Sequence, residues 1–437
     1  MPDRFPLWPV KRISEPIVSG VTHLRTLPPR RRDLLAYLAI MGPGLIAATA
    51  GNDAGGIATY SAAGASYGYS LLWMLAIMTV GLVIVQEMCA RMGAATGKGL
   101  SDLIREHLGL RLAALVMLSI LIANLSTTVS EFVGIAASLE LFGVSRYLAV
   151  PLAAAFIWWL VVKGSYRAVE RVFLVMSLVF LGYIASAFLA QPDWSEALRQ
   201  TVFPSFHLER GYVTMFIATV GTTITPYMQI YVQSSVVEKG VTMADFGYEK
   251  LDVLLGSIFS NLVAFFIIVS TAATLFAARV RIETAADAAR ALEPLAGPYA
   301  EGLFAIGLLG ASMLAAGVVP LATAYSITEA FGFEKGISHS FRDAPVFMGI
   351  FTGLIVLGAA ISLVPGLPLI PFLVMTQVVA GVLLPILLFT ILRLVNDRGL
   401  MGENVNGPIY NLFAWATVVG IALLSILYLV VNVASPH

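Results

Sequence analysis

Long apolar segments recur from about residue 35 to residue 434 of this 437-residue chain, each long enough to cross a bilayer. A membrane-spanning helix needs roughly 20 consecutive apolar residues. Only 12% of the residues are charged, against about 25% in a soluble domain, and the mean hydropathy is +0.87. So few charges cannot solvate the surface of a soluble fold of this size. The sequence therefore predicts one all-α, polytopic membrane domain.

The apolar segments, divided at charged or Gly/Pro-rich stretches, predict eleven transmembrane helices, named spans 1 to 11. Residues 1–33 are polar and lack the short apolar core of a signal peptide, so we expect a cytoplasmic tail before a single transmembrane domain over 34–434. The predicted limits of the spans are 35–66, 69–95, 111–141, 147–163, 171–190, 211–238, 251–278, 298–331, 344–363, 370–393 and 408–434.

The Lys and Arg residues predict the orientation, because cytoplasmic segments of membrane proteins are enriched in them. With eleven spans and the N-terminus inside, all but six of the 26 Lys and Arg residues fall at the inner side. We therefore predict a plasma or inner membrane protein with a cytoplasmic N-terminus and an outer C-terminus. The six outer residues are Arg146, Arg199, Arg210, Arg279, Arg281 and Arg290.

Two spans carry residues that interrupt a regular helix. Span 1 contains Gly51–Gly56, with three glycines and two polar side chains, and span 6 contains Gly221–Tyr227, with a central proline. Interrupted spans at matching positions of two halves are typical of inverted-repeat transporters, whose binding site lies at the interruptions. We therefore predict a first repeat over about 35–190, a second over about 211–393, and span 11 as an addition.

Asp53 lies in the interruption of span 1 and is the first candidate for the site. A carboxylate in the middle of a span costs about 2.5–3.5 kcal/mol on insertion scales. Irregular backbone at membrane depth is tolerated around a buried site or a wet cavity. A cation would stabilise both the carboxylate and the carbonyl groups freed by unwinding. The alternative is that Asp53 only caps the second half of the interrupted helix.

Glu131 is a second intramembrane acid, in span 3. It shares one helix face with Asn124 and Thr127, which predicts that this polar stripe faces the bundle or water. Glu131 could ligate a cation, hold a water molecule, accept a proton, or be a buried acid bonded to neighbouring hydroxyls. The residues alone leave these roles open.

Further oxygen-bearing residues flank the interruptions. Thr225 and Tyr227 offer hydroxyls, Thr222 a carbonyl, and Gln377 in span 10 an amide. All five histidines fall in predicted tails or loops, and the only cysteine is Cys89. Carboxylate, carbonyl, hydroxyl and water ligands suit hard ions such as Mg²⁺, Mn²⁺ or Ca²⁺. We expect such an ion as a transported substrate, no prosthetic group, no nucleic-acid partner and no obligate protein partner.

At these residues the sequence resembles the Nramp (natural resistance-associated macrophage protein) divalent-metal transporters. The resemblance covers most of the chain, and the most specific part is Gly64–Trp73. The family has a LeuT-like fold with two inverted five-span repeats, which the resemblance implies here. The matching segments are Gly42–Gly44, Asp53–Gly56, Gly64–Trp73, Ala94–Gly97 and Ser130–Phe132, followed by Gln377 and Pro385.

The departures from the family pattern concern the ligands. Members that carry transition metals have Asp-Pro-Gly-Asn in span 1 and Met-Pro-His in span 6. Here Asp53–Gly56 reads Asp-Ala-Gly-Gly, and Thr225–Tyr227 reads Thr-Pro-Tyr. An acid one turn before Glu131 is also replaced by threonine. This pattern resembles the Nramp-related magnesium transporter branch.

Membership of that branch implies uptake of hydrated Mg²⁺, with Mn²⁺ also accepted, and no proton coupling. Carried over by position, the residues lining the site would be Asp53, Gly56, Glu131, Thr225, Tyr227 and Gln377. Alternatives are a proton-coupled Mn²⁺/Fe²⁺ symporter and a sodium-coupled amino-acid transporter of the same fold. An intramembrane enzyme is disfavoured because no HExxH or nucleophile motif occurs in the sequence. A receptor is disfavoured because no extramembrane domain is predicted.

Overall fold

The computed structural model describes residues 52–162, 178–334 and 341–434, and these residues form helices without a β-strand. The predicted N-terminal tail, the first half of span 1 and the start of span 5 lie outside the described residues. Seven helical segments within them are long and apolar enough to cross a membrane, and Arg146–Val162 and Leu178–Leu189 are shorter apolar helices. The prediction of an all-α polytopic membrane fold is confirmed.

The structure describes helices that belong to the predicted spans and short helices between them. Those that belong to spans have described ends within a few residues of the predicted limits. In chain order the helices are α1 (Ala54–Tyr67), α2 (Leu72–Thr96), α3 (Leu100–Leu108), α4 (Leu110–Glu140), α5 (Arg146–Val162), α6 (Gly182–Leu189), α7 (Trp194–Val202), α8 (Arg210–Thr223), α9 (Pro226–Glu238), α10 (Phe246–Thr271), α11 (Ala285–Ala289), α12 (Glu293–Ala296), α13 (Ala300–Phe331), α14 (Pro345–Ser362), α15 (Leu369–Val395), α16 (Arg398–Met401) and α17 (Pro408–Ala434).

Span 6 is broken, as predicted, into α8 and α9. Ile224 leaves helical geometry (φ −118°, ψ 65°), and Thr225 is extended (φ −68°, ψ 138°). Pro226 is the first residue of α9, a position where a helix needs no backbone N–H and where the fixed φ of proline fits. The break is shorter than the predicted Gly221–Tyr227, because α8 stays helical through Thr223.

The second half of span 1, α1, begins at Ala54. Asp53 precedes it in an extended conformation (φ −68°, ψ 178°), so the helix does not run through the carboxylate position. The expectation of a weak helix over all of Gly51–Gly56 is wrong for its last residues, since Gly55 and Gly56 lie in the first turn of α1. The Asp53 side chain accepts from the N–H of Gly56 and thereby stabilises that turn.

Five short helices in the connections were not predicted, because short helices do not form long apolar runs. The connection between spans 2 and 3 contains α3, an amphipathic helix with Leu100, Leu103 and Ile104 buried. The 5–6 and 7–8 connections contain α7 and the pair α11 and α12, and α16 lies between spans 10 and 11. These segments cover the ends of the bundle rather than crossing it.

Helix α1 lies at the centre of the bundle, where it packs against α4, α8, α10 and α15. Helix α4 in turn packs along α13, α14 and α15. Helices α8 and α15 approach each other closely. A Cβ atom built on Gly221 would lie 2.5 Å from the Gly381 nitrogen and 2.9 Å from its Cα. Small residues at such crossings allow the backbones of membrane helices to touch.

The connections meet in two groups at opposite ends of the bundle. At one end, the Trp73 indole donates to the Ser205 carbonyl (3.0 Å), and Arg210 donates to Asn432 near the C-terminus (2.8 Å). At the other end, Gln233 donates to the Lys98 carbonyl (3.0 Å). This grouping is the one expected for eleven spans, which place the 1–2 and 5–6 connections on the same side as the C-terminus.

The contact between α8 and α15 predicts the effect of Gly221→Ala. The added methyl would overlap the backbone of α15, and overpacking typically costs about 1–3 kcal/mol. We expect the thermal midpoint in detergent to fall by several degrees. Gly349→Ala is the matched control, because a Cβ there has no neighbour within 4 Å. Equal midpoints for the two variants would show that the helices separate without cost.

Candidate functional site

The Asp53 carboxylate is buried, with 1% of the residue exposed, and its two oxygens have different surroundings. Oδ1 accepts a hydrogen bond of 2.7 Å from the Gly56 N–H. Oδ2 has no hydrogen-bond partner among the described residues. Asp53 therefore caps α1 and still presents one oxygen to a ligand. The two roles considered from the sequence, capping and ligation, are compatible in this geometry.

Glu131 reaches the same turn from α4. Its Oε2 accepts a hydrogen bond of 3.3 Å from the Ala54 N–H, while Oε1 has no partner in the described part of the chain. The residue is fully buried. The alternative of a buried acid bonded to neighbouring hydroxyls does not match this geometry, because its partner is a backbone N–H. Two carboxylates thus meet at the N-terminus of one half-helix.

The charge of these two carboxylates is not balanced by a neighbouring side chain. None of the ion pairs formed within residues 52–162, 178–334 and 341–434 includes Asp53 or Glu131. The N-terminus of α1 contributes a partial positive charge of about half a unit, which is too little for two anions. Buried charges require pairing, so a cation or protons must neutralise the site.

The break in span 6 adds oxygen atoms. Pro226 has no N–H, so the Thr222 carbonyl four residues earlier lacks its helical donor. The Thr222 hydroxyl is buried without a partner in the described residues. Thr225 is fully buried, and Tyr227 is 1% exposed. The structure thus places these three predicted residues at the break.

Gln377 comes from α15 and lies against the first turn of α1. A Cβ built on Gly55 would overlap the Gln377 amide nitrogen and lie 2.7 Å from Cδ. The amide oxygen, Oε1, has no partner among the described residues. Gly55 is therefore required for the close approach of this side chain. Gly56, the remaining predicted residue, is buried in the same turn.

Two further acids on the span helices, Glu87 and Glu140, are engaged in ion pairs. Glu87 pairs with Arg91 (3.2 Å) and accepts from Tyr410 (2.6 Å). Glu140 pairs with Arg146 (2.6 Å). His107 lies on α3 and His207 before α8, and the other histidines fall outside the described residues. No group of three or more His, Cys, Asp or Glu side chains is placed to hold a metal within the described residues. A metal here must use carbonyl, hydroxyl, amide or water oxygens as well.

One hydrogen bond between α1 and α8 was not predicted from the sequence. The Tyr60 hydroxyl on α1 lies 3.0 Å from the Thr223 hydroxyl on α8. Both residues are buried. The hydrogen bond joins α1, the second half of span 1, to α8, the first half of span 6. Ser130, next to Glu131, was also missed, although its hydroxyl faces the same turn of α1.

Comparison with known proteins gives consistent matches over nearly the whole chain. The profile described as natural resistance-associated macrophage protein-like (Nramp) matches residues 44–431. The divalent metal cation transporter MntH of Bacillus subtilis (strain 168) is 25% identical over 415 residues, which are 91% of this chain and 93% of that protein.

Solved structures agree with the fold. The manganese transporter of Eremococcus coleocola superposes with a TM-score of 0.76 at 19% identity, covering 93% of this chain and 89% of that one. Mhp1 in an inward-facing conformation gives 0.56 at 16% identity, covering 90% and 89%. These likenesses confirm the predicted LeuT-like architecture.

The two carboxylate oxygens of Asp53 have different environments, which predicts different effects for two substitutions of this residue. Asp53→Asn keeps an oxygen to cap α1 but removes the charge, so Mn²⁺ affinity should fall about tenfold or more with little change in thermal midpoint. Asp53→Ala should lose the affinity and also about 1 kcal/mol of stability, because the cap is lost. Calorimetric titration and thermal unfolding measure the two effects.

Asp193→Asn is the control for these variants, because Asp193 caps α7 in the same way (Oδ1 to Glu196 N–H, 3.0 Å) far from the break in span 1. Its metal affinity should equal that of the wild type. If Asp53→Asn bound Mn²⁺ as tightly as the wild type, the charge of Asp53 would not contribute to metal binding.

Proposed function

Because this chain belongs to the Nramp family of divalent-metal transporters, we propose that it imports hydrated Mg²⁺, and Mn²⁺ as well, through the site between its two interrupted spans. The protein is a multi-pass membrane transporter of divalent metal cations and not an enzyme. The proposal concerns the preferred ion and the absence of proton coupling. The site residues are Asp53, Gly56, Glu131, Thr222, Thr225, Tyr227 and Gln377.

The unpartnered atoms around the first turn of α1 carry the proposal. Asp53 Oδ2, Glu131 Oε1 and Gln377 Oε1 are all hydrogen-bond acceptors. A hydrated cation presents only water hydrogens at its surface, and it therefore needs acceptors around it. A bare cation would also be attracted to these oxygens. Mg²⁺ dehydrates reluctantly and usually keeps several waters, so it fits a site that binds the water shell.

The types of ligand atom also favour a hard ion. Soft thioether or thiolate ligands select transition metals, whereas carboxylate, carbonyl and water suit Mg²⁺, Ca²⁺ and Mn²⁺. Span 6 here offers Thr225 and Tyr227, where the transition-metal members of the family have methionine and histidine. Mn²⁺ remains acceptable because it also binds oxygen ligands. These substitutions support a shift of preference towards Mg²⁺.

Import needs no second ion as an energy source. An inside-negative membrane potential contributes about 2.3 kcal/mol per elementary charge per 100 mV. A divalent ion therefore accumulates inside by following its own electrochemical gradient. Among the described residues, the site brings together two acids and no histidine, and a histidine is the side chain suited to proton exchange near neutral pH.

A second candidate is a proton-coupled Mn²⁺/Fe²⁺ symporter. The observation that favours it is the pair of neighbouring buried carboxylates, each of which could carry a proton when the metal is absent. The related proteins named above are described as carriers of divalent metal cations or manganese. The difference between the two candidates lies in proton movement and in the acceptance of Mg²⁺.

Uptake into proteoliposomes with an internal pH-sensitive dye distinguishes the candidates. We expect both Mg²⁺ and Mn²⁺ to enter under an inside-negative potential without metal-dependent acidification of the lumen. Asp53→Asn, reconstituted to the same density, gives the background. Acidification with Mn²⁺ together with exclusion of Mg²⁺ would favour the symporter. If the protein bound neither metal and instead bound amino acids in the presence of sodium, both candidates would be wrong and a sodium-coupled amino-acid transporter would take their place.

The double substitution Gly56→Asn with Thr225→Met tests the ligand argument. It narrows the space beside Asp53 and adds a thioether, so the ratio of Mn²⁺ to Mg²⁺ affinity should rise about tenfold. Competition between the two metals in the uptake assay measures this ratio. Thr390→Met serves as a control, since Thr390 lies on α15 and its hydroxyl is bound to the Ile386 carbonyl (2.8 Å). An unchanged ratio would contradict the assignment of these two positions.

A further inference from the structure

Ser130 differs from the other hydroxyl-bearing residues of its helix. On α4, Ser126, Thr127 and Thr128 each donate to a backbone carbonyl, at distances of 2.7–3.1 Å. Ser130 is fully buried, but its hydroxyl has no hydrogen-bond partner among the described residues. A buried hydroxyl without a partner is unfavourable. Such a group in a folded protein indicates a ligand or water that satisfies it.

The Ser130 side chain points towards Gly55 on α1. A Cβ atom built on Gly55 would lie 2.8 Å from Ser130 Oγ. The same Cβ would lie 2.7 Å from Gln377 Cδ. Ser130 Oγ and the Gln377 amide therefore both touch the first turn of α1. That turn is the one that Asp53 caps and that donates its Ala54 N–H to Glu131.

We propose that Ser130 is a further residue of the ion-binding site, and that its hydroxyl accepts a hydrogen bond from a water molecule of the bound cation. This inference rests on the proposed function, since it requires a hydrated ion. Water bound to a divalent cation is a strong donor, and a hydroxyl oxygen is a suitable acceptor. Ser130 adds a neutral acceptor to a wall otherwise formed by two carboxylates and an amide.

The position also makes Ser130 a determinant of metal preference. Its side chain is the smallest that carries an oxygen, so it adds an acceptor between α4 and the first turn of α1 with little bulk. Replacing the oxygen by sulfur keeps the length of the side chain in atoms and exchanges a hard donor atom for a larger and softer one. A soft atom at this place would favour Cd²⁺ over Mg²⁺, because thiolates bind soft metals.

Ser130→Cys, studied by calorimetric titration of the purified full-length protein, tests the proposal. We expect Cd²⁺ to bind about tenfold or more tightly than to wild type, and Mg²⁺ to bind more weakly. Ser119→Cys is the matched control on the same helix. Ser119 is buried, and its hydroxyl is bound to the Val116 carbonyl (2.7 Å). Cys89 is retained in all variants.

Ser130→Ala gives a second measurement that a purely structural role would not reproduce. Loss of one water contact should raise the KM for Mg²⁺ about three- to tenfold while the maximal uptake rate and the thermal midpoint stay near wild type. A lowered midpoint with unchanged KM would assign Ser130 to packing and overturn the proposal.

The outcomes separate this inference from the proposed function. Wild-type protein that binds neither Mg²⁺ nor Mn²⁺ would overturn the proposed function and, with it, this role of Ser130. Wild-type protein that binds both, with Cd²⁺ affinities equal in Ser130→Cys and Ser119→Cys, would overturn only the inference. Tighter Cd²⁺ binding in Ser130→Cys alone would support both.

Discussion

The carboxylate of Asp53 joins the fold of this protein to its site. Its Oδ1 caps α1 through the Gly56 N–H, so the second half of span 1 begins where the charge is needed. Its Oδ2 stays without a partner in the described residues. If capping used both oxygens, neither oxygen would be left to face an ion. If it used neither, the first turn of α1 would lose the hydrogen bond that defines the break.

Small residues bring the other parts of the site to this turn. Gly55 admits the Gln377 amide and the Ser130 hydroxyl, and Gly221 admits the backbone of α15 beside the break in span 6. Because both contacts involve α15, this helix touches both interrupted spans. A site assembled from four spans depends on how closely their helices approach, and a single methyl group at either glycine would change that distance.

Much of this arrangement could be predicted from the sequence, because membrane burial leaves strong signals. The lengths of the apolar segments predict the spans. Residues that cannot complete a regular helix predict the breaks near Asp53 and Pro226. An acid at membrane depth, such as Glu131, is costly enough to indicate function by itself. These signals are local to one segment and need no knowledge of its neighbours.

The remaining features depend on contacts between distant segments. In the sequence, Ser130 looks like any other serine in a polar stripe. Only its lack of a hydrogen-bond partner among the described residues and its proximity to Gly55 distinguish it from Ser126. The contact between Tyr60 and Thr223 joins residues far apart in the sequence, with no motif to mark it. The short helices α3 and α7 escape detection because amphipathic segments of nine residues do not form a long apolar run.

The proposed preference for a hydrated ion rests on the geometry of the acceptors rather than on any one ligand. A bare Mg²⁺ demands near-octahedral ligands at about 2.0–2.1 Å, which oxygens from several helices must all supply at once. A hydrated ion needs only acceptors at hydrogen-bond distance from its waters, and small relative movements of the helices disturb them less. Such tolerance suits a transporter, because its helices must move while the ion is bound. The unpartnered oxygens around Gly55 would then hold the water shell, and the charges of Asp53 and Glu131 would hold the ion inside it.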